Sequence, residues 1–468
     1  MSDTDVQSPV ASTPLSWRIG IATGVLLLGF AAYALRQTIG PRGQACAGMF
    51  CILGLVAMFS ANLRTLSWRT LLGGFALQWF LAWFTLKFTI HGLEGYPDGL
   101  RPGYEFFHAI ADGVKKFMDF TSAGSTFVFG PLADPREAEA VFGPGRGFIF
   151  AFAGLPVIIF VSSFFTVMYY LGILQWVVRI FARGMMVLMG TSGAESLTSA
   201  ANVFMGQTEA PLIIRPFIAK MTQSELFSMM VSGMAHISGA LMGVYIGMGA
   251  DQVSILATCV MAAPGALYLS KLFMPETEVP ETRGAVKTDP VVPHRNVIDA
   301  AAAGASDGMY LAFNVAAMLI AFLAFLAMFD FLLGLVPIGI DGQPLSLKLA
   351  FSYMFAPLAF LMGIEGNEIF DVGNLLGTKL ALNEFVAYRE LQQLVAANQL
   401  ISRRSQILAT FALTGFANFG SIGIQLGGIG AMAPERRPDL ARFGLRALYV
   451  GFLATILNAC IAGILIDD

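Results

Sequence analysis

The sequence predicts an all-α membrane protein with about nine transmembrane helices and two re-entrant hairpins arranged as an inverted repeat. Three observations carry this expectation. Of 468 residues, 56% are hydrophobic and 13% charged, against about a quarter charged in a soluble domain. Apolar runs of about 20 residues, enough to cross a ~30 Å hydrocarbon core, recur along the chain. Two less apolar segments carry several ionisable side chains each, and similar Gly-rich runs follow both.

The full-length runs are Trp17–Leu35, Ala45–Leu63, Leu71–Ile90, Gly147–Trp176, Leu226–Gly249, Val253–Phe273, Met309–Val336, Gln406–Met432 and Tyr449–Leu465. The first has a second reading as a signal peptide, because Arg18 heads it and Ala32-Tyr33-Ala34 imitates a cleavage site. Its length, and Asp3 and Asp5 in place of a basic start, favour a retained helix. Tyr104–Phe120 mixes aromatics with Glu105, Asp112, Lys115, Lys116 and Asp119, a pattern that suits an interfacial helix. Pro275–Arg295 carries four prolines among alternating charges and reads as a linker. The expected organisation is an extra N-terminal helix (1–40), scaffold helices with the interfacial helix (41–146), a first repeat with its hairpin (147–274), a cytoplasmic linker (275–295) and a second repeat (296–468).

Basic residues set the orientation, since Lys and Arg in short loops favour the cytoplasmic side. Arg64 and Arg69, Arg179 and Arg183, Lys271 to Arg295, and Arg436 to Arg446 fall in every second loop. A multi-pass protein of the cell (inner) membrane follows, with its N-terminus cytoplasmic and its C-terminus periplasmic or extracellular. Arg36, Arg42, Arg403 and Arg404 are exceptions. The net charge of −3, with no basic stripe, argues against a nucleic-acid partner. Cys46, Cys51, Cys259 and Cys460 lie in apolar runs without metal-ligand or disulfide spacing and read as small core residues.

The two unusual segments are Gly193–Ala219, with Glu195, Asn202, Gln207, Thr208, Glu209 and Arg215, and Gly363–Tyr388, with Glu365, Asn367, Glu368, Asp371, Asn374, Lys379, Asn383 and Glu384. A charge at a helix centre costs about 2.5–3.5 kcal/mol on insertion scales, so such segments need a protein-lined, partly wet setting. Gly206 and Gly377 fall where an entering chain would turn back. An ordinary surface loop is the alternative. Gly233-Met234-Ala235-His236 follows the first segment, and Gly415-Phe416-Ala417-Asn418 with Ser421 the second. Hairpin, Gly-rich helix and apolar helix thus occur twice. Three spans per half reverse the second half, which puts a site at the repeat interface. The Gly–Ser density of Gly415–Gly430 suits an interrupted helix; close packing in a tight bundle accounts for glycines too.

Gly206-Gln207-Thr208-Glu209-Ala210-Pro211-Leu212, Gly377-Thr378-Lys379 with Asn383-Glu384-Phe385-Val386-Ala387-Tyr388, and Gly415-Phe416-Ala417-Asn418 with Ser421-Ile422 closely resemble the concentrative nucleoside transporters, from about Leu55 to the C-terminus. The resemblance implies a homotrimer in the lipid bilayer that imports nucleosides by cation symport with elevator-type alternating access, without a cofactor and without catalytic residues. It implies that Gln207, Thr208 and Glu209 face the base, that Glu384, Asn418 and Ser421 hold the ribose, and that Phe416 lies against base or sugar. An ionised carboxylate suits vicinal hydroxyls, and an amide with a hydroxyl suits a base edge. The coupling ion implied is sodium, at the carbonyls of Asn202 and Met205 beside Ile237. The family's hydroxyl position holds His236, which suits a proton better, so proton coupling stands slightly ahead of sodium. An enzyme would need a motif such as H-E-x-x-H, which the chain lacks. A passive channel or receptor for a nucleoside-like ligand is the alternative reading.

Overall fold

The computed structural model describes residues 12–91, 99–143, 147, 149–284, 294–336, 339–340, 343–400 and 402–467; Asp3, Asp5 and Lys287 lie outside them. The helices run α1 Leu15–Ala34, α2 Arg36–Met58, α3 Trp68–Leu86, α4 Pro102–Phe129, α5 Pro135–Phe142, α6 Leu155–Tyr170, α7 Ile173–Met189, α8 Gly193–Asn202, α9 Arg215–Ile218 and α10 Gln223–Ala235. They continue as α11 Gly239–Gly247, α12 Gln252–Phe273, α13 Val297–Gly334, α14 Leu347–Leu361, α15 Glu368–Ala381, α16 Glu384–Ala396, α17 Arg403–Leu413, α18 Phe419–Met432 and α19 Arg437–Leu465. A two-residue antiparallel ladder pairs Gly339–Ile340 with Gln343–Pro344. The fold is otherwise helical among the described residues, as the composition requires.

Six helices among the described residues are long and apolar enough to cross a membrane: α1, α2, Phe150–Tyr170, α12, α13 and Pro434–Leu465. The run Leu71–Ile90 falls largely on α3. The run Gly147–Trp176 is two helices, because Gly172 adopts the left-handed conformation (φ 77°) between α6 and α7. The runs Leu226–Gly249 and Gln406–Met432 fall on broken helices.

Polar caps make the breaks. His236 is extended, and Ser238 then caps α11 by accepting from the Leu241 amide at 3.4 Å. Asn418 caps α18 by accepting from Ser421 N at 2.9 Å. A cap inside an apolar run ends one helix and starts another, since it satisfies amides that would otherwise go unpaired. Capping boxes likewise start α8 (Ser192, Glu195) and α10 (Thr222, Glu225).

The order of elements repeats: α6 to α12 gives a long helix, a second helix, a helix–turn–helix, a broken helix and an apolar helix, and α13 to α19 gives the same series. α7 and α14 are members of the repeat that hydropathy runs did not single out. In α7 the buried residues Leu174, Val178, Ala182, Met185 and Met189 recur at helical spacing, leaving the other face exposed.

α12 and α19 form the centre and are almost wholly buried. α2, α3, α10 and α17 pack around them. A polar cluster locks this body: Gln78 of α3 donates to Asn458 of α19 at 2.6 Å, Tyr268 of α12 donates to Gln78 at 2.6 Å, and Asn458 donates to Thr258 at 3.0 Å. By contrast α6 and α13 pack chiefly on each other. Gly304 and Gly308 of α13 permit this, since a Cβ on either would fall 2.8 Å or less from the Cα of Ser163 or Ile159. This is the small-xxx-small pattern of close helix pairs.

The expected linker is bound at its start. Thr282 is buried and takes the Gly193 amide on its carbonyl (2.9 Å) and the Ala194 amide on its hydroxyl (3.0 Å). Lys271 pairs with Glu195 at 2.7 Å and Glu276 at 3.2 Å, so residues 274–284 fasten α8 and α10 to α12. Of the linker's charges, Glu276 pairs with Lys271, Glu278 accepts the Gln223 amide and Glu281 pairs with Lys220.

Candidate functional site

The two helix breaks touch. Phe416 donates its amide to the His236 carbonyl at 3.0 Å. Gly415 is required there: its φ is 155°, and a Cβ would lie 2.7 Å from Thr455 Cγ2 and 3.1 Å from the Ala235 carbonyl oxygen. The Gly239 amide bonds the Phe204 carbonyl at 3.1 Å, which brings the turn after α8 against the start of α11.

On that turn Gln207 is buried and donates to Ser421 Oγ at 3.1 Å, while its carbonyl oxygen accepts from Gln425 of α18 at 3.1 Å. Gln425 also donates to the Met230 carbonyl at 3.0 Å. Gly233 makes room, since a Cβ there would meet Gln425 at 2.8 Å and Gln207 at 2.9 Å. Thr208 packs against Gly428. The Glu209 carboxylate turns back to accept the Gly206 amide at 3.1 Å.

Glu384 occupies the first turn of α16, where the positive end of the helix favours a carboxylate. Asn383 caps that helix, accepting from Val386 N at 2.9 Å. Tyr245 of α11 donates to one carboxylate oxygen at 2.8 Å, and Asn418 donates to the other at 3.1 Å. Tyr245 stacks on Tyr388 at 4.4 Å, and the Tyr388 hydroxyl is hydrogen-bonded to that of Thr414 at 2.7 Å in the break after α17. Lys379 is fully buried behind the turn, donating to the Ala412 carbonyl (2.7 Å) and to Thr455 Oγ1 (2.8 Å).

One hydrogen-bonded series therefore runs Gln425, Gln207, Ser421, Asn418, Glu384, Tyr245, and it joins four of the residues singled out from sequence. Thr208 and Phe416 border it, and Glu209 sits at the turn with one carboxylate oxygen bonded to the Gly206 amide. Tyr245, Gln425 and Tyr388 were not anticipated. Gln425 is a lone amide in an apolar Gly-rich run, and that signal was available.

Two expectations about glycine need correction. Gly377 is not at the second turn: it lies within α15, where a Cβ would overlap Phe351 of α14, and the chain turns at Leu382-Asn383. Gly206 does lie in the first turn, yet a Cβ there would stand 3.6 Å from its neighbours and φ is not positive, so neither space nor backbone demands glycine.

Of the expected ion residues, Asn202 donates to Ser232 Oγ at 3.1 Å. The carbonyls of Met205 and Ile237 accept no hydrogen bond among the described residues. The His236 ring folds back on its own helix, with Nδ1 2.7 Å from the Ser232 carbonyl and the ring facing the Cys259 backbone on its other side. An open cavity of about 860 Å³ lies behind the second turn, lined by Phe351, Asn374, Thr378, Phe385 and Glu390 and by none of the predicted substrate residues.

Comparison with known proteins fits this geometry. Family models described as "Na+ dependent nucleoside transporter N-terminus", "Nucleoside recognition" and "Na+ dependent nucleoside transporter C-terminus" match residues 47–132, 151–252 and 254–463. An uncharacterised transporter of Haemophilus influenzae is 41% identical over 422 residues, covering 90% of this chain and 96% of the relative. The solved structure of CNTnw in an inward-facing substrate-bound state is 36% identical, covers 90% of this chain and 97% of that one, and superposes with a TM-score of 0.82. The chain belongs to the concentrative nucleoside transporter family. That family consists of helical membrane transporters and not of enzymes. A variant of CNTnw in an outward-facing state matches with a TM-score of 0.84 at 34% identity, over 91% of this chain and 98% of that one. Mouse sodium/nucleoside cotransporter 1 is 43% identical over 433 residues, 90% of this chain. The chain spans 63% of the length of that mammalian relative.

Proposed function

We propose that this concentrative nucleoside transporter imports nucleosides by symport with sodium. The observation that carries the reading is the hydrogen-bonded series from Gln425 to Tyr245, which draws on both halves of the repeat and closes around Glu384. A carboxylate with two engaged oxygens keeps spare lone pairs for the vicinal hydroxyls of a ribose. Asn418 and Ser421 stand beside it for the same sugar, Phe416 borders base or sugar, and Gln207, Thr208 and Glu209 offer amide, hydroxyl and carboxylate to the base.

The sequence placed a proton slightly ahead of sodium because of His236. The ring's attachment to Ser232 favours the other order, since it leaves the Met205 and Ile237 carbonyls beside Asn202 for a hard cation that prefers oxygen. The family description and the mammalian relative's name, both citing sodium, support this. Coupling then requires that the ion bind the loaded conformation better, by its differential affinity for the two states.

Packing also suggests which parts move. We assign the body built on α12 and α19 as the moving unit and the α6–α13 pair as the scaffold; α2 and α3, which the sequence groups with the scaffold, go with the moving unit because they pack on α19 and α12. The helix–turn–helix elements α8–α9 and α15–α16 are the re-entrant hairpins of this reading. α13 exposes Ile320, Phe325 and Phe331, an apolar face for lipid or for neighbours in a homotrimer. The basic loops favour a cytoplasmic N-terminus in the cell membrane.

Thermal stabilisation of the purified protein by uridine and adenosine tests the site. Both should raise the melting temperature in sodium, and their 2′,3′-dideoxy analogues should not. Equal stabilisation by the dideoxy compounds would remove Glu384 from ribose recognition.

A further inference from the structure

On the flank of the bundle, α1, α2 and α14 border a groove of about 890 Å³. Most of its length is apolar, lined by Leu26 and Phe30 of α1, Leu55 of α2 and Pro357 of α14. Leu26 and Phe30 are 72% and 71% exposed, so nothing else among the described residues covers this side. One end changes character, where Arg36, Gln44, and Glu365 in the turn after α14 line it.

These polar groups lie at one level. The start of α2 backs on the turn after α14 so closely that a Cβ at Gly363 would fall 2.5 Å from the Pro41 carbonyl oxygen and 3.3 Å from Ala45 Cβ. The Arg36 guanidinium lies 4.4 Å over the Tyr33 ring, whose edge meets Phe360 of α14 at 5.7 Å. Neither Arg36 nor Glu365 has an ion-pair partner among the described residues. Gln44 is 3% exposed, and its Oε1 has no hydrogen-bond partner among them. A buried acceptor without a donor costs free energy, so this atom marks a place for a ligand that donates.

The dimensions identify the class. From Gln44 to Leu55 a helix rises about 16 Å, close to one leaflet of a ~30 Å hydrocarbon core. The groove thus offers one leaflet of apolar length and a headgroup end carrying one cation, one anion and an unfilled acceptor. We propose that it holds an ethanolamine phospholipid. An acyl chain lies along Leu26, Phe30 and Leu55, the phosphate meets Arg36, and the ammonium donates to Glu365 and Gln44 Oε1. The orphaned acceptor selects the headgroup: an ammonium has N–H donors, choline has none, and a glycerol headgroup brings no cation to Glu365.

Native mass spectrometry of the full chain in detergent, titrated with equal amounts of phosphatidylethanolamine, phosphatidylcholine and phosphatidylglycerol, tests this. The expected result is one retained phosphatidylethanolamine per chain, preferred about tenfold, the size of one charge-assisted hydrogen bond. Glu365→Gln should erase the preference without changing the lipid-free melting temperature, and Gln44→Leu should erase it as well. Equal retention of the three lipids, or a preference that survives Glu365→Gln, overturns the proposal. Glu365 is exposed, so that substitution remains decisive even if Gln44→Leu misfolds.

Discussion

Gln207 donates its side-chain amide to the Ser421 hydroxyl at 3.1 Å although 214 residues separate them. The bond ties the turn after α8 to the first turn of α18, so groups of the two halves satisfy one another here. A nucleoside arriving between them exchanges such bonds for its own, and its affinity is the small surplus of that exchange.

Glu384→Gln should reduce uridine uptake about 10- to 100-fold, because it removes the charge from hydrogen bonds to the ribose while keeping shape and helix position. Uptake into proteoliposomes measures this, and size-exclusion profiles check assembly. Near-normal uptake would show that the carboxylate does not hold the sugar.

Tyr245→Phe should raise the KM for uridine about tenfold, since the lost hydroxyl fixes one oxygen of Glu384 at 2.8 Å. The ring remains to stack on Tyr388, so folding should be spared. The discriminating readout is the ratio of uridine to 2′-deoxyuridine affinity, which should shrink in the variant. An unchanged ratio with lower protein yield would mean that the tyrosine only packs.

The two hairpin glycines should behave oppositely. Gly377→Ala places a methyl into Phe351 and should cost about 1–3 kcal/mol, read as a lower melting temperature. Gly206→Ala meets nothing closer than 3.6 Å and should fold normally. The reverse ranking would contradict the packing described for α14 and α15.

That contrast also shows what the sequence could reveal. Hydropathy and the polar segments made the helical membrane class and the repeated order legible, because charge within an apolar run is a local signal, whereas the substrate candidates came from the resemblance of the motifs. Glycine was ambiguous: Gly377 reads as a turn from composition, but its cause is a helix 26 residues away, and only tertiary contact shows it. Tyr245 and Tyr388 were missed for the same reason, since each matters through a partner in another element. α7 escaped because its amphipathic pattern is masked by the adjoining run of α6. The partners of Glu276 and Glu278, on α12 and at the start of α10, likewise lie outside the local sequence.

Lys271→Met should destabilise the protein by about 3–5 kcal/mol, because Glu195 would be left buried without its 2.7 Å partner. Thermal unfolding in detergent measures the loss. Adding Glu195→Gln should restore part of it, and strict additivity of the two substitutions would mean that the pair is not coupled.

Uridine uptake into proteoliposomes, with sodium and pH gradients imposed separately, tests the central claim most directly. Accumulation above the external concentration under an inward sodium gradient, with little response to a pH gradient and little change in His236→Ser, is the predicted result. Accumulation driven by a proton gradient alone and abolished in His236→Ser would contradict sodium coupling, and equilibration without accumulation under either gradient would contradict secondary active transport itself.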